Sequence, residues 1–172
     1  IVEQEELKRA SLASKYESLQ NQVNPHFLFN SLNVLSNLVY KDADLSAKFI
    51  EQLAHVYRYV LEVQDKEVVP LANEKEMLEA YLFLLKIRFG EQLEIVLDIK
   101  AAANDALPPL TLQLLAENAV KHNIVSRRHP LTLEIRKEGD RILVRNNLQA
   151  KQQVQTSLGV GLDNIRARYG LL

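Results

Sequence analysis

The sequence predicts an α+β protein: an N-terminal antiparallel helical hairpin, then a mixed domain whose helices cover one face of a sheet. Three observations predict it. Apolar residues up to Leu61 recur at helical spacing with one break at Asp42 to Asp44. Beyond Pro70, helical segments are interleaved with strictly alternating runs such as Leu93, Ile95, Leu97 and Ile99. Turn formers, Pro108-Pro109 and Glu138-Gly139-Asp140, punctuate those segments.

The elements follow in order. Residues 3–40 hold no glycine and one proline, and Leu12, Tyr16, Leu19 and Val23 repeat at 4-3-4 spacing, a long helix with one adhesive stripe suited to a coiled coil or bundle. After Pro25, which this reading places inside the helix, the stripe moves to Leu28, Leu32, Leu35 and Val39, while His26, Asn30, Asn33 and Asn37 form a polar row. Positions 26 and 28 differ by about 200° around a helix, so the row lies opposite the stripe and His26 faces outwards. Leu45, Phe49, Leu53, Val56 and Val60 define a second helix, flanked by Ile50, Tyr57 and Leu61. Its short connection makes it an antiparallel neighbour, and two helices with wide apolar faces predict pairing with a second copy into a four-helix bundle. Residues 64–70 read as a linker, which sets the expected domains at 1–66 and 67–172.

In the second domain Asn73 is expected to cap a helix carrying Leu78, Tyr81, Leu82, Leu85 and Phe89, with Gly90 at its C-terminal turn. The strand from Leu93 to Ile99 follows, then a helix from about Thr111 to His122. Leu131, Leu133 and Ile135, with Ile142 and Val144 beyond Gly139, predict an antiparallel hairpin. Residues 148–157 form a Gln-rich polar loop, and a last helix starts near Leu162.

Composition removes several function classes. The 172 residues, 47% hydrophobic and 25% charged, allow one ordinary domain or two small ones and exclude disordered and collagen-like chains. With 21 Lys+Arg against 22 Asp+Glu there is no strong drive towards phosphate backbones, so no nucleic-acid partner is expected. Without cysteine there is no disulfide, thiol nucleophile or Cys-ligated metal. No run approaches the roughly 18 to 20 apolar residues of a membrane span, and no signal peptide is visible. A start at Ile1 rather than Met predicts a piece of a longer parent. Glycine is scarce, at five residues, so each should mark a backbone requirement.

Three constellations carry chemistry. In Asn24-Pro25-His26-Phe27-Leu28-Phe29-Asn30, the Asn30 amide lies one turn from the imidazole, where it can hold one tautomer and leave the other nitrogen nucleophilic. The same residues also read as a kinked helix with a surface histidine. In Glu117-Asn118-Ala119-Val120-Lys121-His122-Asn123, helical spacing puts Asn118, Lys121 and His122 on one face. A neutral oxygen with two nitrogen donors suits Mg²⁺ and a polyphosphate, although a solvated helix C-terminus also favours Lys and His. In Gly159-Val160-Gly161-Leu162-Asp163-Asn164-Ile165-Arg166, glycines before a helix let backbone N–H groups approach phosphate oxygens, a signal weak by itself. His55 and His129 lack a carboxylate or second histidine at ligand spacing and read as structural.

Together and in this order, the three motifs resemble the LytS-type sensor histidine kinases from about Leu19 to Gly170, with Pro70-Leu71, Tyr81, Arg88-Phe89 and Pro108-Pro109-Leu110 similar to that family's spacer landmarks. The resemblance implies a dimerisation and phosphotransfer hairpin followed by a GHKL-type ATP-binding α/β sandwich. It implies that His26 is the phosphoacceptor, with Asn30 beside it. It further implies Asn118 as the Mg²⁺ ligand, Lys121 and His122 as phosphate-side contacts, Gly159 and Gly161 as the glycine box beside the ATP lid, and Glu117 polarising a reacting group or orienting a metal-bound water. The implied activity is an ATP- and Mg²⁺-dependent protein-histidine kinase. It would work as a homodimer, pass the phosphoryl group to an Asp of a response regulator, and form the cytoplasmic part of a bacterial inner-membrane protein anchored through upstream segments.

Two departures stand out. Asn146 occupies the place of the Asp that usually binds the adenine amino group, and Leu148 that of a glycine; an Asn oxygen accepts a hydrogen bond but carries no charge. The chain also stops soon after the glycine box, so the family's sheet-closing strands are expected to be absent. These features motivate the alternative, a catalytically weak dimeric scaffold that engages a regulator without using ATP.

Overall fold

The computed structural model describes residues 24–152 and 160–170; the expectations for Leu12, Tyr16, Leu19, Val23 and Gly159 lie outside the described residues. The chain divides into two compact units, one ending at Ile50 and one starting at Glu51.

The first unit contains α1 (Pro25–Leu38) and the first half of α2 (Ala43–Glu62). Asn24 caps α1 by accepting from the Phe27 amide at 3.2 Å, and Pro25 occupies the first helical turn. Among the described residues the proline therefore starts a helix instead of interrupting one. Its missing N–H costs nothing at that position, and its fixed φ favours the helix. The polar row faces solvent as expected, with His26, Asn33 and Asn37 exposed. The apolar stripe is covered in part: Leu28 and Leu35 are half-buried, as are Phe27, Val34 and Leu38, and Ser31 is buried, whereas Leu32 and Val39 are about half exposed at 46% and 51%. Asp42 begins α2 by accepting from the Leu45 amide at 2.9 Å. Along α2, Phe49, Leu53, Val56 and Val60 are buried, joined by Tyr59 and, just past the helix end, Val63, while Ile50 and Leu61 stay exposed.

The second unit continues through β1 (Val69–Pro70), α3 (Leu71–Phe89), a 3₁₀ turn at Gly90–Gln92, β2 (Leu93–Asp98), β3 (Ala106–Leu107), α4 (Thr111–His122), β4 (Leu131–Glu138), β5 (Arg141–Asn146) and α5 (Val160–Gly170). The end of the expected linker is thus a short strand, β1, paired antiparallel with β3. Helix α3 starts earlier than Asn73: Pro70 is its N-cap residue without a side-chain cap, and the Leu71 amide donates to Asp105 O at 2.8 Å. Asn73 sits exposed in the first turn. Buried residues surround most of α3, from Leu71 through Met77, Leu78, Tyr81, Leu82 and Leu84 to Leu85, so it is a core helix and not an amphipathic one. Gly90 ends it at φ 56°, ψ −130°, a conformation suited to glycine.

The main sheet has the order β2-β4-β5, with β2 parallel to β4 and β4 antiparallel to β5. Leu131, Leu133 and Ile135 on central β4 are fully buried on the face that meets the helices, and Arg136 and Glu138 point to solvent. The α+β class and the hairpin around Gly139, at φ 61°, agree with the sequence reading.

Candidate functional site

His26 lies in the first turn of α1, exposed, with Asn30 one turn on. The Asn30 amide nitrogen sits 3.2 Å from His26 Nδ1 and 3.3 Å from Nε2. An amide N–H donates only to an unprotonated ring nitrogen. Being equidistant, it does not single out one nitrogen, in contrast to the tautomer selection expected from the spacing. His26 and Asn30 belong to the first unit and the remaining candidates to the second.

Those candidates gather on α4. Pro108-Pro109 fix the chain entering it, Leu110 takes a left-handed φ of 63°, and the Thr111 hydroxyl donates to Pro108 O at 2.7 Å. Leu112, Ala116 and Ala119 anchor the inner face at 3-4 spacing. The other face carries Asn118 and His122, both half-buried, and exposed Lys121. Neither the Asn118 amide nor the Lys121 ammonium has a side-chain hydrogen bond or ion pair among the described residues, and none of those residues form a three-member His, Cys, Asp or Glu metal cluster. An open amide oxygen beside an open ammonium fits Mg²⁺ held mainly by water and phosphate.

His122 titrates below the ordinary histidine value, first because of desolvation and then because of Lys121 and Lys151. Lys151 was not foreseen. Its Nζ donates to Lys121 O at 2.9 Å, its amide donates to His122 O at 3.1 Å, and it thereby brings a second ammonium to the α4 C-terminus. Only a place in a polar loop marks it in sequence. Glu117 accepts from Gln113 Nε2 at 3.2 Å, and its charge, after the larger effect of burial, helps push Tyr57 up to about 12 and Tyr81 upwards. Its surroundings therefore include those two phenols and a glutamine of its own helix.

The segment after β5 is stitched to α4 by backbone-like side-chain bonds. Buried Asn123 donates to Ala119 O at 2.9 Å and accepts from the Gln149 amide at 2.8 Å. Asn147 accepts from the Thr132 amide at 2.8 Å. Asn146, at the end of β5, is exposed and donates to Asn147 O at 2.8 Å, and Leu148 is 85% exposed. Gly161 lies within the first turn of α5, a helix that packs on α4. Arg168 of α5 donates to Pro109 O at 3.1 Å. His55 is 4.0 Å from Glu76, and His129 lies in the turn before β4 bonded to Ser126.

A second residue the sequence reading passed over is Glu74, 1% exposed, whose Oε1 accepts from the Leu110 amide at 2.8 Å and from Tyr59 Oη at 2.9 Å. A signal existed: Leu71, Glu74, Leu78 and Tyr81 share one helical stripe, and a carboxylate on an apolar stripe calls for a partner.

Residues 14–93 match the histidine kinase family. The sensor protein LytS of Enterococcus faecalis is 32% identical over 97% of this chain and 32% of its own length. The sensor protein LytS of Streptococcus agalactiae is 37% identical over 80% of this chain and 24% of its own length. The sensor histidine kinase YpdA of Escherichia coli is 30% identical over 81% of this chain and 25% of its own length. The chain is thus similar to the histidine kinase family over residues 14–93 and to LytS-type sensor proteins over most of its length. The chain spans a quarter to a third of the length of these curated relatives.

Proposed function

We propose that the chain is the kinase core of a two-component sensor histidine kinase, autophosphorylating His26 from Mg-ATP and passing the phosphoryl group to an Asp of a response regulator. The observation that carries it is the pairing of an exposed, Asn30-contacted His26 with a separate face on which Asn118, Lys121 and His122 stand together. Phosphoryl transfer needs positioning and charge neutralisation more than covalent machinery. Lys121, with Lys151 beside it, offsets charge on the phosphates and His122 supplies a neutral N–H donor; Asn118 supplies a neutral oxygen to Mg²⁺; Gly161 lets backbone amides approach in the first turn of α5, and Gly159, outside the described residues, is assigned the same role from its motif. Mg²⁺ supplies further neutralisation of the phosphate oxygens when bound. A ring nitrogen of neutral His26 forms the N–P bond as the bond from the γ-phosphorus to the ADP oxygen breaks, and ADP leaves with that electron pair. Glu117 is assigned an orienting role.

Exposed Phe29, Leu32 and Val39 on α1, with Ile50 and Leu61 on α2, support pairing with a second copy, since a set of apolar residues this size favours cover. On this reading residues 1–66 form the dimerisation and phosphotransfer part and 67–172 the GHKL-type catalytic part. Among the described residues no helix is long and apolar enough to cross a membrane.

One observation favours a second reading. Asn146 turns its amide onto its own backbone neighbour and Leu148 stands in solvent, which weakens the adenine side and fits a scaffold that engages a regulator without ATP. Calorimetric titration of the longer parent protein with Mg²⁺ and a non-hydrolysable ATP analogue separates the two. Micromolar or tighter binding supports the kinase, and no heat at millimolar ligand supports the scaffold.

A further inference from the structure

Helix α4 carries the face assigned to Mg-ATP, yet its own N-cap residue supplies no side-chain cap. Its N-cap residue is Leu110, which has no side-chain oxygen and adopts φ 63°, a left-handed conformation that a leucine avoids unless its surroundings enforce it. Two prolines precede it. The acceptor for the first free amide comes instead from α3: Glu74 Oε1 lies 2.8 Å from Leu110 N. Burial pushes the Glu74 carboxyl above its ordinary value, and the amide of Leu110, the Tyr59 hydroxyl and the amides of Leu112 and Thr111 offset that only in part, while Oε2 makes no hydrogen bond of standard geometry. No lysine or arginine among the described residues forms an ion pair with Glu74. A buried carboxylate without a cation is costly, and here the positive end of α4 takes the cation's place.

Two other helices are tied to the same corner. Tyr59 of α2 donates to the same Oε1 at 2.9 Å. From α5, Arg168 donates to Pro109 O at 3.1 Å, and Tyr169 reaches the Thr111 hydroxyl and feels the Glu74 charge. The corner therefore fastens the base of α4, the far half of α2 and the end of α5, whose first turn carries Gly161. Helix α4 has 12 residues, so one loosened turn is about a third of it.

We propose that Glu74 is a positioning residue for nucleotide binding: its buried carboxylate, steadied by Tyr59, caps α4 from another helix and so fixes the Asn118, Lys121 and His122 face. This rests on the reading of that face as the Mg-ATP site. Glu74 touches no substrate and acts only through α4.

The test uses the longer parent protein with Glu74→Ala, Glu74→Gln and Tyr59→Phe, titrated with Mg²⁺ and a non-hydrolysable ATP analogue and followed by hydrogen exchange of the Leu110 to Leu112 amides. Leu133→Ala, a buried sheet residue distant in sequence from the corner, serves as the destabilised control. Loss of a cap predicts about tenfold weaker binding and faster exchange in Glu74→Ala. Glu74→Gln keeps an oxygen at the same place and should restore binding to within about threefold, with Tyr59→Phe between the two. If Glu74→Ala does not fold, the Gln and Phe variants decide by the same ordering. Unchanged binding in a folded Glu74→Ala, failure of Glu74→Gln to rescue, or equal weakening by Leu133→Ala overturns the proposal. Absence of binding by the wild type refutes the nucleotide reading itself, and this inference with it, a result distinct from binding that ignores Glu74.

Discussion

Replacing Gly90 by alanine isolates backbone strain from packing. Gly90 ends α3 at φ 56° and ψ −130°, and a Cβ built there meets nothing within 4 Å. The cost is therefore conformational alone, and a side chain forced into such a region loses about 1–3 kcal/mol. Gly139, at φ 61° with equally open space, occupies the ordinary left-handed region of a hairpin turn and should lose about 1 kcal/mol on the same change. Gly170 is also open but has no positive φ, so alanine there should be neutral or stabilising by up to about 1 kcal/mol. The order of stability is then Gly170→Ala, wild type, Gly139→Ala, Gly90→Ala. For a chain of this length a loss of about 2 kcal/mol lowers Tm by about 4–8 °C. With no tryptophan in the sequence, urea and thermal melts are best followed by circular dichroism. A Gly90→Ala protein within about 0.5 kcal/mol of wild type, or a Gly170→Ala protein as damaged as Gly90→Ala, refutes the strain argument.

Two further outcomes follow from the same coordinates. His122 titrates below 6.5 in the folded state, so it binds fewer protons than the unfolded chain; its contribution to stability is present above pH 6.5 and is lost as pH falls from there through the folded value. An NMR titration should place its midpoint below that of a free histidine, and Lys151→Ala should move it upwards by removing one of the charges that depress it. Leu133→Ala empties a fully buried site on the central strand and should cost about 2–5 kcal/mol in a urea melt, whereas a loss under 1 kcal/mol contradicts the placement of β4.

Local patterns account for what was legible in advance. The alternation of Leu131, Leu133 and Ile135 is set by one buried sheet face, and Gly139 and Gly90 by chain reversals that need positive φ, so both survive translation into structure. Pro25 was misread as a kink because a proline inside a helix and one at its start differ only in what Asn24 does. The stripe through Leu28 is genuine in sequence but is left partly open among the described residues, with Leu32 and Val39 about half exposed. Glu74 and Lys151 were missed for a tertiary reason: each acts on α4 from a segment remote in sequence, and no spacing rule connects residue 74 to 110 or 151 to 121. The one hint, a glutamate on the Leu71, Leu78 and Tyr81 stripe, shows where such a search should begin.

Phosphorylation of His26 tests the central claim most directly. The longer parent protein, incubated with Mg²⁺ and γ-labelled ATP, should acquire an acid-labile, alkali-stable phosphoryl group that maps to His26, disappears in His26→Ala and is transferred to an aspartate of a receiver domain. Equal labelling of the His26→Ala protein, or no label on a wild type that binds the nucleotide, contradicts the account.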